Sequence, residues 1–159
     1  MSDHSAAPLM GSVLHLLHRA GQAADVLFAR EIPESELTPR QYAVLAVLAD
    51  NENVSQTDLV NATGIDRSTL AEIVKRLTAR GLLSRRRSRL DARAYAVRLT
   101  PEGHQVLAAA RPKVAKIEER LLQALAPERR AALVDDLAAL VRKAPEDPQE
   151  AIALALSRR

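Results

Sequence analysis

Two short helices joined by a glycine-containing turn constrain the fold of this chain more than any other feature. Ser55 is a typical helix N-cap with Asp58 three residues later, and Gly64 is a typical C-terminal stop. Asp66 then begins a further helix, which Gly81 ends. The apolar residues of that helix form one stripe, made of Leu70, Ile73, Val74 and Leu77. This arrangement predicts a helix-turn-helix.

A change of hydrophobic period after Gly81 predicts a β-hairpin directly behind the second helix. Residues 82–87 can pair with residues 94–99, in which Tyr95, Val97 and Leu99 alternate with the residues between them. The polar segment 88–92 lies between the two strands. A hairpin in this position is called a wing, so residues 37–100 are predicted to form a winged helix-turn-helix domain.

Amphipathic segments on both sides of this domain predict long outer helices. Residues 8–30 carry apolar residues at three- and four-residue steps, and residues 101–156 contain two further helical segments. Pro112 lies inside the first of these two segments and is expected to bend it. Because the outer helices are too long and too apolar for so thin a monomer, they are predicted to be dimerisation helices of a homodimer. The predicted fold class is mainly α with a small β-hairpin wing, and the tail 145–159 receives no role.

The positive charge of the chain is local. Residues 66–98 contain ten basic and three acidic residues, a net charge of +7, whereas the rest contains 13 basic and 17 acidic residues, a net charge of −4. Arginine makes up 19 of the 23 basic residues, and its planar guanidinium suits phosphates and guanine edges. Adjacent arginines such as 85–87 repel one another unless an anion is near. A polyanion partner is therefore favoured over a merely solvated face.

Several classes of protein are excluded by what the sequence lacks. There is no cysteine, so disulfides, thiolate metal sites and thiol chemistry are excluded. No apolar run approaches the roughly 20 residues that span a bilayer, and no basic segment followed by an apolar block is present at the N-terminus. No metal-ligand spacing, glycine-rich phosphate loop or nucleophile elbow occurs, so the chain is predicted not to be an enzyme and to need no cofactor.

An ordered set of short stretches carries a family resemblance. The stretches are residues 37–45, 55–59, 64–70, 74–77, 80–83, 91–93 and 97–103. Together, residues 38–107 resemble the multiple antibiotic resistance regulator (MarR) family of bacterial transcription factors. The resemblance implies a dimeric DNA-binding regulator, usually a repressor, that a small and often aromatic, anionic ligand releases. It also implies a cytoplasmic protein associated with the bacterial nucleoid.

The second helix of the pair is the predicted reading element, because recognition helices contact bases mainly with their N-terminal residues. The candidate base contacts are Arg67, Ser68, Thr69 and Glu72, and the candidate phosphate contacts on this helix are Lys75 and Arg76. For Glu72, an amino group of cytosine and a surface pairing with Lys75 or Arg76 remain equal alternatives. Hydroxyl and N–H donors to phosphate are also expected from Ser55, Gln56 and Thr57.

The wing supplies further predicted DNA contacts. Arg86, Arg87 and Arg89 can reach phosphates, and an arginine at the tip can enter a narrow minor groove. The resemblance implies that Asp91 holds Arg93 in a DNA-facing pose, and the alternative is a salt bridge without a role in DNA binding. In a two-fold symmetric dimer, the helix-turn-helix and wing of each chain form one reading head. Two such heads predict double-stranded DNA with an inverted repeat as the partner.

The effector site is predicted with less support from the sequence. The resemblance implies a pocket between the first, second and fifth helices near the dimer interface. His15, His18 and Arg19 could there clamp a carboxylate or phenolate, with Tyr42 and Leu45 beneath its ring. The candidate effectors are aromatic carboxylates, phenolic compounds and aryl-CoA thioesters. The alternative is that His15, His18 and Arg19 form only the solvent-facing side of the predicted first helix.

A second function remains open at this point. A dimeric, ligand-independent DNA-packing protein would share the basic reading surface but would bind DNA with little sequence preference. A module that binds only proteins would not explain why the charge of +7 falls on the predicted reading helix and wing.

Overall fold

Six α-helices and three short strands make up the part of the chain that the computed structural model describes, namely residues 9–33, 36–51, 54–87 and 95–143. A single turn of 3-10 helix, Leu9–Gly11, precedes the first α-helix. The helices are α1 (Val13–Glu31), α2 (Pro39–Asp50), α3 (Gln56–Thr63), α4 (Arg67–Ala79), α5 (Pro101–Leu122) and α6 (Pro127–Lys143). The strands are β1 (Val54–Ser55), β2 (Leu83–Arg87) and β3 (Tyr95–Leu99). The predicted class, mainly α with a small winged sheet, is confirmed.

The helix start signals act as the sequence predicts. Thr38 forms a capping box, in which its hydroxyl accepts from the Gln41 amide while the Gln41 side chain accepts from the Thr38 amide. Ser55 caps α3 and Asp66 caps α4. Gly64 ends α3 in the left-handed region, at φ 65°, where a side chain is disfavoured. These caps fix where the helix-turn-helix begins and turns.

The sheet contains one strand more than the predicted hairpin. Strands β2 and β3 pair antiparallel from Leu83 opposite Leu99 to Arg87 opposite Tyr95, which confirms the hairpin. The additional strand β1 pairs with the other edge of β3, with Val54 opposite Val97. Two residues are too short to show a period of two in the sequence, so β1 was missed. It ties the loop before α3 to the base of the wing.

The core lies within the winged domain and below it. The predicted stripe of α4 is buried, and Val44, Leu45 and Val97 are fully buried beside it. Helices α1 and α2 both pack on α5, and the buried Phe28 and Ile32 bring the end of α1 into the same core. Helix α4 is therefore held by a continuous apolar core that reaches α5.

The outer helices carry all the exposed large apolar side chains of the described residues. Seven lie in the 3-10 turn and α1, and they are Leu9, Met10, Val13, Leu14, Leu16, Leu17 and Val26. Six lie on α5 and α6, and they are Leu121, Leu133, Val134, Leu137, Leu140 and Val141. Exposed apolar patches of this kind mark an interaction surface. None of the described helices combines the length and the hydropathy needed to cross a bilayer.

Helix α5 is continuous from Pro101 to Leu122, although Pro112 lies inside it. Both Pro112 and Ala108 are exposed, so the Ala108 carbonyl that lacks an amide partner can be hydrated. The expected bend at Pro112 stays a prediction. The predicted helical region 101–156 is described only as far as Lys143, and the tail lies outside the described residues.

The first turn of α5 packs so closely on the β2 side of the winged domain that residue 103 has no room for a side chain. A Cβ at Gly103 would overlap the carbonyl oxygen of Leu82 and crowd the Leu99 side chain. The Thr100 hydroxyl donates to the Gly81 carbonyl at 2.7 Å, and the Thr100 amide donates to the Leu82 carbonyl at 3.1 Å. This contact joins α5 directly to the end of the recognition helix.

Substitution of Gly103 by alanine should therefore destabilise the fold. Because the neighbour is backbone, the overlap can be relieved only by shifting α5, and we expect a loss of about 1–3 kcal/mol in the free energy of unfolding. Urea denaturation measures it. The exposed Gln105→Ala on the same helix is the control and should change stability by less than about 0.5 kcal/mol. Equal stability of the two variants would contradict the close packing.

Candidate nucleic-acid interface

Helix α4 presents the predicted reading residues on its solvent side. The buried stripe faces the core, and on the other side the exposed side chains are Arg67, Ser68, Glu72, Lys75 and Arg76. Thr69 is half-buried at the flank. The structure thus brings the six α4 candidates together along one helix, in the arrangement that a groove-reading helix needs. Their contacts with DNA stay predictions.

Asp66 organises the N-terminus of α4. Its Oδ1 accepts from the Thr69 amide at 2.9 Å and from the Ser68 hydroxyl at 2.7 Å, so the cap also orients two candidate base contacts. Hydrogen bonds from Thr69 first and then from Ser68, with a smaller effect of the Arg40 charge, hold the pKa of Asp66 well below its usual range. The carboxylate is therefore charged at all ordinary pH values.

Glu72 forms the surface pairing that the sequence allowed as one alternative. Its Oε1 lies 3.9 Å from the Lys75 Nζ, and both side chains are more than half exposed. A pair with this separation and exposure is weak and is screened by salt. The contact with cytosine and the pairing with Lys75 therefore both remain open.

The N-terminus of α3 has fewer free donors than the sequence suggests. The Ser55 hydroxyl donates to Asp58 Oδ2 at 2.6 Å and accepts from the Asp58 amide at 3.1 Å. Hydrogen bonds to Asp58 Oδ2 from the Ser55 hydroxyl and from the Ser55 amide, the second at 3.1 Å, lower the pKa of Asp58. Because the single hydroxyl proton of Ser55 is used inside the cap, Gln56 and Thr57 are the side chains there that remain as donors to phosphate.

The wing is described only at its base. Arg85 is exposed on β2, and Arg86 and Arg87 continue the strand opposite Ala96 and Tyr95. The side chains of Arg86 and Arg87 lie outside the described part of the structure. The same holds for the whole of Arg89, Asp91 and Arg93, so the predicted wing contacts stay predictions.

The cations of α5 are paired with acidic residues, in contrast to Arg67 and Arg76 of α4. Glu31 lies 3.2 Å from Lys116 and 2.9 Å from Arg120, and these contacts, with the Lys116 hydrogen bond first, lower the pKa of Glu31. Two further α5 pairs are Lys113 with Glu36 and Arg111 with Asp50. Among the described residues, no carboxylate lies within 4.0 Å of Arg67 or Arg76 on α4. The reading helix thus keeps uncompensated positive charge.

A cleft of about 690 Å³ lies between the end of α1, the start of α2 and the flank of α4. Its floor is apolar and includes Phe28, Ile32, Leu37 and Ile73. Its polar rim includes Arg40, Ser68, Thr69, Glu72 and Arg76. Arg40 is the one cation of this rim to which the sequence assigned no role, because it lies on α2 and far in sequence from the basic segment 66–98.

The candidate effector residues are not brought together within one protomer. The ring of Tyr42 contacts Phe28 edge-on, with centroids 6.4 Å apart, and burial raises the pKa of Tyr42 while Arg111 opposes this effect. His15 precedes Phe28 by 13 positions on the same helix, which corresponds to about 20 Å. His18 and Arg19 are exposed, and His15 is half-buried. Leu45 is fully buried in the core.

Comparisons with known proteins agree with this geometry. A family model described as MarR family matches residues 35–94. The putative transcriptional regulatory protein for the hcr operon of Thauera aromatica is 33% identical over 161 residues, which cover 93% of this chain and 97% of that protein.

Two solved structures share both the fold and about a third of the sequence. BpsR of Bordetella bronchiseptica, whose DNA binding is regulated by 6-hydroxynicotinic acid, has a TM-score of 0.82 and 35% identity over 85% of this chain and 96% of that one. The transcriptional repressor CouR, bound to a 23-mer DNA duplex, has a TM-score of 0.79 and 32% identity over 88% and 99%.

The Asp66 cap predicts a specific pH dependence of stability. The pKa of Asp66 is lower in the folded chain than in the unfolded one, where it is about 3.9. Its contribution is therefore complete above about pH 4 and is lost as the pH falls towards the folded pKa. Asp66→Asn keeps a capping acceptor that does not titrate. We expect the thermal midpoint of the wild type to fall more steeply than that of Asp66→Asn from pH 5 to pH 2.

The comparison isolates Asp66, because Asp58 titrates in both proteins. Asp66→Ala, which lacks the acceptor, should unfold at a lower temperature than Asp66→Asn already at pH 7. Parallel midpoints of the wild type and Asp66→Asn across the acid range would contradict the assigned role.

Proposed function

This chain belongs to the MarR family of transcriptional regulators, and from that premise we propose that it is a dimeric repressor that binds an inverted-repeat operator and is released by a small aromatic acid. It is a regulator of transcription and not an enzyme. In this proposal residues 37–100 bind DNA, and the outer helices 8–30 and 101–156 form the dimer.

One observation carries the DNA-binding part of the proposal. The cations of α5 are paired with carboxylates, whereas Arg67 and Arg76 on the solvent side of α4 have no such partner among the described residues. Uncompensated arginines on an exposed recognition helix are suited to a polyanion. The similar repressor CouR was solved on a DNA duplex, which supports the same mode of binding here.

The distribution of exposed apolar side chains supports a homodimer. Large apolar residues are exposed on α1, α5 and α6, whereas those of the winged domain that the structure describes are buried or half-buried. A two-fold dimer through the outer helices would cover these side chains and present two copies of α4 on one side. Two heads related in this way fit half-sites about one helical turn apart.

The effector site is proposed to be completed by the second protomer. His15 lies about 20 Å along α1 from Phe28, the residue that Tyr42 contacts, so a site that contains both His15 and Tyr42 would take α1 from the partner. Basic groups from one chain and a phenol with an apolar floor from the other would hold a flat anion. The regulation of the similar protein BpsR by 6-hydroxynicotinic acid supports an aromatic acid as the ligand class.

Selection of bound sequences from random duplexes tests the DNA-binding proposal. We expect an inverted repeat, bound by two chains as measured by the mass of the complex. Addition of an aromatic acid that the protein binds should release the protein from the selected duplex. Binding that is tight but indifferent to sequence and to added acids would instead establish the architectural alternative.

The wing is tested on the same operator. Arg89→Ala and Arg93→Ala should each weaken binding and reduce the slope of log K against log salt by roughly one unit, the effect of one lost phosphate contact. Unchanged slopes in both variants would contradict the wing assignment.

Calorimetry with benzoate, cinnamate and their thioesters tests the effector site. His15→Ala and Arg19→Ala should abolish binding because they remove the groups that hold the anion. His104→Ala, an exposed histidine on α5, is the matched control and should bind like the wild type.

A mixture of two inactive chains tests whether the site is shared. Neither Arg19→Ala nor Tyr42→Phe dimers should bind the acid, but each mixed dimer would contain one intact site. Recovery of binding on mixing is expected. If both variants bind normally, the pocket lies elsewhere, and if mixing restores nothing, the site is not shared between protomers.

A further inference from the structure

Arg40 is a fixed and exposed cation beside the recognition helix, although it lies outside the helix-turn-helix. It is the second residue of α2, and the reciprocal hydrogen bonds between Thr38 and Gln41 hold the turn on which it lies. Its side chain lines the cleft whose other rim includes Ser68, Thr69 and Arg76 of α4. The position of its backbone is therefore set by the same frame that sets the reading helix.

Within the described part of the chain, Arg40 forms no ion pair. No carboxylate lies within 4.0 Å of Arg40 in the described ranges, whereas Arg111, Lys113, Lys116 and Arg120 of α5 each have one. The positive charge of Arg40 contributes to lowering the pKa of Asp66, without a hydrogen bond or ion pair between the two side chains. The carboxylate of Asp66 is already bonded to Thr69 and Ser68. A guanidinium in this setting is available to an external anion.

Arg40 lies beside exposed arginines of α4. Arg40 and Arg76 lie on the rim of the same cleft, and Arg67 is the first residue of the same reading helix. Two carboxylates also line the cleft, namely Glu72, which pairs weakly with Lys75, and Asp25 on α1. A cation next to a helix that enters a groove can bind the sugar-phosphate backbone that borders the groove.

Resting on the proposed function, we propose that Arg40 is a further DNA contact, which binds a backbone phosphate beside the major groove that α4 enters. The contact is to phosphate and not to a base, because Arg40 lies on the neighbouring helix α2 and not on the helix that reads base edges. It would widen the footprint of each head beyond the helix-turn-helix and the wing. A phosphate contact positions the protein without reading sequence.

The test measures binding of labelled duplexes by fluorescence anisotropy over a range of salt concentrations. One duplex carries the selected operator, and a second of equal length has a scrambled sequence. Arg40→Ala should bind both duplexes about tenfold more weakly at low salt, and its slope of log K against log salt should be smaller by roughly one unit. Arg40→Lys should restore the slope. Arg129→Ala, which removes an exposed arginine of α6, should leave both quantities unchanged.

Three results would overturn the assignment. Affinity and slope equal to those of Arg129→Ala would show that Arg40 does not contact DNA. Weaker binding with an unchanged slope and a lower unfolding temperature would show that Arg40 acts only through the Asp66 cap. A loss confined to the operator duplex would show a base contact instead. If the wild type itself binds neither duplex, the proposed function fails. If the wild type binds the operator and Arg40→Ala binds it equally well, only the assignment of Arg40 fails.

Discussion

The burial of one face of α4 is the constraint on which the rest of the structure depends. Leu70, Ile73, Val74 and Leu77 are buried in the core, which fixes the rotation of the helix about its own axis. The opposite face, from Arg67 to Arg76, must then face solvent. Helices α2 and α3 and the sheet pack around the buried face of α4. The remaining elements connect this core to the outer helices.

The distribution of ion pairs separates two kinds of surface that net charge does not distinguish. On α5 each lysine and arginine from Arg111 to Arg120 lies near a carboxylate, so this surface is close to neutral. On α4 the one described ion pair is the weak contact of Glu72 with Lys75, and no described carboxylate lies within 4.0 Å of Arg67, Arg76 or Arg40. The basic side chains of α5 thus join neighbouring elements through ion pairs, whereas those of α4 and Arg40 leave a positive electrostatic potential at the surface.

The elements that depend on local chemistry could be predicted from the sequence, whereas those that depend on tertiary neighbours could not. The caps at Thr38, Ser55 and Asp66 and the stripe of α4 follow from residue types and spacing alone. Strand β1 exists only because β3 lies beside it. The same limit applies to the site: the α4 candidates share one helix and were predictable as a set, but the nearness of Arg40 to them arises from the packing of α2 on α4.

The absence of a side chain at Gly103 has a mechanical consequence. The Gly103 backbone in the first turn of α5 lies directly against the Leu82 carbonyl, and the Thr100 hydroxyl bonds to the Gly81 carbonyl beside it. Helix α5 has 22 residues and is therefore about 33 Å long. In the proposed dimer such a helix acts as a stiff lever, since a rotation of about 5° at its far end would displace the head by about 3 Å. The distance between the two DNA-binding heads of the dimer would then depend on the angle of α5 at its far end, about 33 Å from the winged domain.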